Sequence, residues 1–188
     1  MSDTCGDIES LQRLVQSTGW RRIGVDGVDA VGNSEVAGEL AEALECPVLN
    51  VADYLHQNQG GYVDFIDYPA LQAAVSSMPA FVLSGVCLGE VLENLGATLD
   101  ASIYIKRMHD GMWMDEDDCV FPDGIDTAIE ALTENLAAIS RHLDEADEHP
   151  GHVSDDSSSD FVLEIMHYHD RWQPHESADV VFERAAGQ

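Results

Sequence analysis

Residues 27–34 read Gly-Val-Asp-Ala-Val-Gly-Asn-Ser. Glycines at 27 and 32 followed by a hydroxyl at 34 have the spacing of a phosphate-binding loop, G-x-x-x-x-G-K-[ST]. Such a loop holds an anion with backbone N–H groups that converge on one point, and the next helix adds the positive end of its dipole. Gly27 and Gly32 let the chain approach phosphates with no Cβ in the way, and the Ser34 hydroxyl is placed to meet Mg²⁺. Asp29 sits inside the loop. The lysine that normally reaches the β and γ phosphates is replaced by Asn33, which can donate a hydrogen bond but brings no charge. By analogy with other lost transition-state donors, that costs roughly 10²–10³ in rate. Glu35 adds a carboxylate that suits an empty helix N-terminus and repels a bound phosphate.

These residues need a strand before them and a helix after them. Residues 23–25 form a short apolar strand, and Val36, Leu40 and Leu44 share one helix face behind the loop. Upstream, residues 7–18 read as an amphipathic helix with Ile8, Leu11, Leu14 and Val15 on one side. A second strand spans 47–51 and is followed by Asp53; an acid just past the carboxyl end of a strand is where open α/β sheets handle ligands. Residues 57–68, rich in glycine, aspartate and aromatics, have no helical period and read as a loop facing the site, with Tyr62 and Asp64 toward a substrate. Pro69 can open a helix to about 77.

Residues 80–85 are a continuous apolar run, the kind buried on both faces in a parallel sheet. A helix follows over 86–95, then a strand over 101–105 that ends in Lys106 and Arg107. Residues 108–119 are polar with Met and Trp and read as a mobile lid. Residues 125–143 are the longest helix, 148–160 have the composition of a flexible loop, 161–171 return to helix, and 178–182 are a last strand. Five strands alternating with helices predict an α/β fold with a doubly wound, five-stranded parallel sheet in a single domain over 1–188.

The 36 Asp+Glu against 8 Lys+Arg give a net charge of −28. That surface repels nucleic acid and anionic membranes. The acids are spread along the whole chain, as in proteins adapted to a salty cytoplasm where self-repulsion is screened. None of the 4 cysteines is spaced C-x-x-C. No basic-then-apolar leader and no long apolar run are present. The expectation is a cytoplasmic protein with reduced thiols.

Several stretches together resemble the uridine-kinase-like branch of the P-loop kinases: RRIGVDGVDAVGNS, the acid in NVADYL, the strand-turn FVLSGVCL, IYIKRMHDG, and YHDRWQPHESADVVFER. The resemblance implies a P-loop NTPase, nucleoside-kinase-like fold with a five-stranded parallel sheet in 2-3-1-4-5 order. It implies transfer of the γ-phosphoryl of ATP–Mg²⁺ to a hydroxyl of a nucleoside or similar small molecule. Carried over by position, Asp53 matches the base, Gly27, Gly32 and Ser34 the phosphate loop, and Lys106 and Arg107 the start of a basic lid. Asn33, Glu35 and Ser84 depart from the family at working positions, Ser84 standing where a glutamate that helps organise magnesium is common. Phosphoryl transfer depends almost wholly on positioning and electrostatics, so these departures point to weakened or lost transfer. Two expectations stand side by side: a feeble kinase, or a pseudokinase that serves as a nucleotide-binding, regulatory or structural module.

Other constellations carry less. His167, His169, His175 and Asp170 lack metal-ligand spacing, because residues two apart on a helix face different sides. The run Asp115–Asp118 reads as a solvated acidic face. Trp113 and Tyr62 can stack on a base or sugar, or pack in the core.

Overall fold

The computed structural model describes residues 2–56, 61–146 and 156–185. The strands are β1 (Asp3–Cys5), β2 (Arg22–Asp26), β3 (Val48–Asn50), β4 (Phe81–Ser84), β5 (Ala101–His109), β6 (Met112–Trp113) and β7 (Val180–Ala185). The helices are α1 (Ile8–Thr18), α2 (Asn33–Ala43), α3 (Tyr68–Ser77), α4 (Leu88–Leu95), α5 (Ile125–Ala146), α6 (Asp156–Trp172) and α7 (Pro174–Ser177). Three short 3₁₀ turns cover Val51–Tyr54, Val63–Phe65 and Glu116–Asp118.

The protein is α/β, with a mostly parallel sheet flanked by helices. Six strands run in the order β3-β4-β2-β5-β7-β1, and every pairing along that path is parallel. Parallel strands need crossover connections, and these are right-handed. Chains crossing leftward from β1 to β2 and from β2 to β3 therefore carry α1 and α2 on one face. Those crossing rightward from β3 through β4 and β5 to β7 carry the later helices on the other. The packing agrees: α1 meets α2, whereas α3 meets α4 and α5 meets α6.

Burial on both faces explains why the strands are apolar runs without alternation. Ile23, Val25, Phe81, Val82, Leu83, Ile103 and Ile105 are all buried, and Val36, Leu40, Leu11 and Val15 cover them from the α1–α2 face. Asp7 caps α1 by accepting a hydrogen bond from the Ser10 backbone N–H at 2.8 Å.

Four expectations are corrected. The sheet has seven strands, not five. β1 joins the far edge by pairing with β7, a contact between the two ends of the chain. Lys106 and Arg107 belong to β5, which runs to His109, turns at Asp110 and Gly111, and pairs antiparallel with β6. The head of the expected lid is thus a hairpin, held because β5 keeps its ladder with β7 as far as Met108. Residues 156–160 of the expected flexible loop open α6; 147–155 lie outside the described residues, as do 57–60 of the segment after β3. Within 61–68, a 3₁₀ turn and the first residue of α3 replace the irregular loop expected there. Asp67, at the N-cap, accepts from the Ala70 N–H at 3.1 Å.

Candidate functional site

β2 delivers the glycine loop to the carboxyl end of the sheet, where the loops after β3 and β4 also emerge. Gly32 caps α2 with φ of 95°, a left-handed conformation that glycine adopts without strain. A side chain there would also displace Arg184, since its Cβ would lie 1.5 Å from Nη1. Gly27 is crowded without a left-handed backbone: a Cβ there would stand 2.9 Å from both Asn33 Oδ1 and Val31 Cγ2.

The Asn33 carboxamide folds back on the loop. Its Nδ2 donates to the carbonyls of Gly27 and Val28, both at 3.4 Å, and of Gly85 at 3.2 Å. Three carbonyls around one amide fix which end is nitrogen. The Oδ1 is left buried without a partner. Asn33 thus ties the loop to the turn after β4. Glu35, in the first turn of α2, is held by Arg184, which also donates to the Val31 carbonyl at 3.0 Å. The two charges neutralise each other beside the helix N-terminus. Sequence reasoning missed Arg184, and nothing local marks it: it reaches the loop only because β7 lies next to β5.

A cleft of about 400 Å³ opens beside the loop. Asp29, Ser34 and Glu35 line it from the loop and α2, Asn50 from the end of β3, and Ser84 from the end of β4. Tyr62 and Phe161 close one side, with ring centroids 5.7 Å apart. Asp29, Ser34 and Glu35 are exposed, while Ser84 is 2 % exposed. Tyr62 is buried, and burial pushes its phenol above the ordinary tyrosine range.

The remaining expected residues do not converge on this cleft. Asp53 is exposed in the 3₁₀ turn after β3, and its neighbours Asn50 and Ala52 line the cleft in its stead. Asp64 is exposed and faces a separate groove beside α6. Lys106 Nζ sits 4.0 Å from the centre of the Trp113 ring, and Arg107 pairs with the buried Asp115. Both cations are engaged within the β5–β6 hairpin and its neighbouring turn.

Beneath the loop lies a buried polar chain. Asp26, 6 % exposed, accepts from Tyr168 Oη at 2.5 Å and from the Gly27 N–H at 2.8 Å. Burial lifts its carboxyl to about 6, and those hydrogen bonds oppose the rise. Tyr168 Oη in turn accepts from the Gly89 N–H at 3.0 Å. One residue along α6, His169 Nδ1 bonds the Ile165 carbonyl at 2.8 Å. That nitrogen must carry the proton, so Nε2 is the acceptor and Tyr104 Oη donates to it at 2.7 Å. Burial holds His169 down to about 4. His175 stacks on it at 6.3 Å, within a ring cluster that includes Trp113, and His167 faces solvent. Among the described residues no group of His, Cys, Asp and Glu could hold a metal ion.

Loop, cleft and buried chain fit ATP–Mg²⁺ poorly. The Asn33 amide is spent on carbonyls of the loop and of the turn after β4, and a carboxylate stands at the helix N-terminus. No helix among the described residues is long and apolar enough to cross a membrane.

No family model matches the chain, and no curated protein does. Among solved structures the chain is similar to the crystal structure of an uncharacterized protein from Eubacterium ventriosum ATCC 27560, at 15% identity and a TM-score of 0.36, over 87% of this chain and 88% of that one. A likeness of that size carries no functional conclusion.

Proposed function

We propose that this chain is a uridine-kinase-like P-loop protein that has lost phosphoryl transfer and keeps its loop cleft as a binding module. The observation that carries the reading is the Asn33 amide, which donates to Gly27, Val28 and Gly85 where a lysine would reach toward phosphate. The order β3-β4-β2-β5-β7, with the glycine loop after the central strand β2, supports the P-loop part of it. It is the 2-3-1-4-5 order that the resemblance implies, with β1 added outside. The loss of transfer follows from charge. A transferring γ-phosphoryl needs cations where its oxygens sit, and this loop offers a neutral amide and a carboxylate whose charge Arg184 already balances.

The exposed Asp53 keeps the place of a base after β3, with no phosphoryl group for it to serve. The test is calorimetric titration with ATP–Mg²⁺ at low and at multimolar KCl, followed by an assay for transfer to a panel of nucleosides. The expected result is no transfer and at most millimolar nucleotide affinity. Turnover on any nucleoside would return the chain to the active kinases.

A further inference from the structure

The cleft retains polar groups that have no partner among the described residues, and none of them is a cation. Ser84 is 2 % exposed, at the end of a strand buried on both faces. Its hydroxyl makes no hydrogen bond with the described residues, although it lines the cleft. Its Oγ is not sealed from solvent, so it stands open to a group bound in the cleft. Asn50 stands directly opposite Ser84 in the β3–β4 register. Its Oδ1 is buried and has no partner among the described residues. Ser34, from the first turn of α2, adds a second unbonded hydroxyl. Three elements thus bring three neutral hydrogen-bonding side chains to one concavity.

The rest of the lining narrows the ligand. Asp29 and Glu35 are the charged residues of the cleft. Glu35 is answered by Arg184, which leaves Asp29 as net negative charge. The whole chain adds a field of −28. Anions are therefore disfavoured, whereas hydroxyl groups can donate to Asp29 and exchange bonds with the serines and Asn50. The rings of Tyr62 and Phe161 offer an apolar wall for C–H groups. A volume of about 400 Å³ falls in the range of small-molecule sites.

We infer that the cleft beside the glycine loop binds an uncharged, polyhydroxylated molecule of monosaccharide size, held by Ser84, Asn50 and Ser34, and excludes its phosphorylated form. This rests on the reading that the loop no longer serves triphosphate, and it assigns that same cleft a different class of ligand.

The test is a titration of the full chain with myo-inositol and D-glucose, and with D-glucose 6-phosphate as the charged counterpart, followed by calorimetry and by backbone amide shifts. The expected result is saturable binding of a neutral probe, with shifts centred on residues 32–35 and 84–86. D-glucose 6-phosphate should bind at least roughly tenfold more weakly at low salt, a gap that narrows as salt screens the repulsion. Ser84→Ala and the exposed Ser34→Ala should each weaken the neutral ligand roughly 3- to 10-fold, with unchanged near-ultraviolet circular dichroism showing that the fold is kept.

Neutral probes that fail to saturate, or that bind equally well to Ser84→Ala and Ser34→Ala, overturn the inference. The proposed loss of phosphoryl transfer survives either result, because the ATP–Mg²⁺ assay decides it separately. Tighter binding of D-glucose 6-phosphate than of D-glucose overturns the inference outright.

Discussion

Arg184, near the end of the last strand, holds the carboxylate of Glu35 in the first turn of α2, although 149 residues separate them in the chain. The guanidinium also stands against Gly32 and bonds the Val31 carbonyl. One side chain therefore braces the outer side of the glycine loop and neutralises the acid at the helix N-terminus. Glu35 is in this way part of the loop's scaffold, its charge balanced by Arg184.

The loop's geometry should be recoverable for phosphate by charge. Asn33→Lys places a cation where the β and γ oxygens would sit, and it is expected to raise affinity for ATP–Mg²⁺ more than any other single change. Glu35→Thr removes the opposing carboxylate. The pair should exceed the sum of the singles by about 0.5–3 kcal/mol, because both positions adjoin one phosphate site. Calorimetry at low ionic strength measures this. No gain in any of the three variants would mean that the loop is no longer a phosphate cradle.

Gly32→Ala meets two obstacles, a left-handed φ and the Arg184 guanidinium. It is expected to destabilise the fold by about 1–3 kcal/mol in chemical denaturation. Arg184→Ala removes the clash and leaves the backbone strain. The same glycine substitution should therefore cost less in the Arg184→Ala background. An equal loss in both backgrounds would show that the arginine does not press on Gly32.

Two buried groups pull stability in opposite directions with pH. Asp26 has its folded pKa raised to about 6. Its contribution is full below the unfolded value near 3.9 and is lost as pH rises through about 6. His169 is held down to about 4. Its contribution is full above the unfolded value near 6.5 and is lost as pH falls through about 4. Relative to the parent, Asp26→Asn should therefore lose stability at pH 4.5 or gain it at pH 7.5, so that its midpoint difference moves upward with pH. His169→Gln should move the opposite way, with Tyr104, His175 and the Ile165 carbonyl as the groups that face it. Thermal melts from pH 4 to pH 8 read both slopes, and parallel curves for all three proteins would contradict the assignment.

Stability should rise with salt. A net charge of −28 drives self-repulsion that molar ions screen. The unfolding midpoint is expected to climb between about 0.1 M and 2 M KCl, where the Debye length shrinks from about 10 Å to under 3 Å. A flat or falling midpoint would separate this acidic surface from adaptation to salt.

The amino-acid sequence by itself determined the parts of this protein that depend on neighbours in the chain. Apolar runs and helical periods placed β2, β3, β4, β5 and β7 and most of the helices between them within a few residues, because a buried parallel strand and an amphipathic helix each write their pattern locally. The glycine loop was legible for the same reason: Gly27, Gly32 and Ser34 are recognised by their spacing. What the tertiary structure decided lies in contacts that no period encodes. β1 has three residues, too few to show a pattern, and exists through β7. Asn33 reaches Gly85 across 52 residues, Tyr168 reaches Asp26 across 142, and Arg184 reaches Glu35 across 149. The sheet order brought those partners together. It also left Asp53, Asp64, Lys106 and Arg107 outside the lining of the loop cleft, because the backbone of the 3₁₀ turns and of β5, and not the identity of a residue, sets which way each side chain faces.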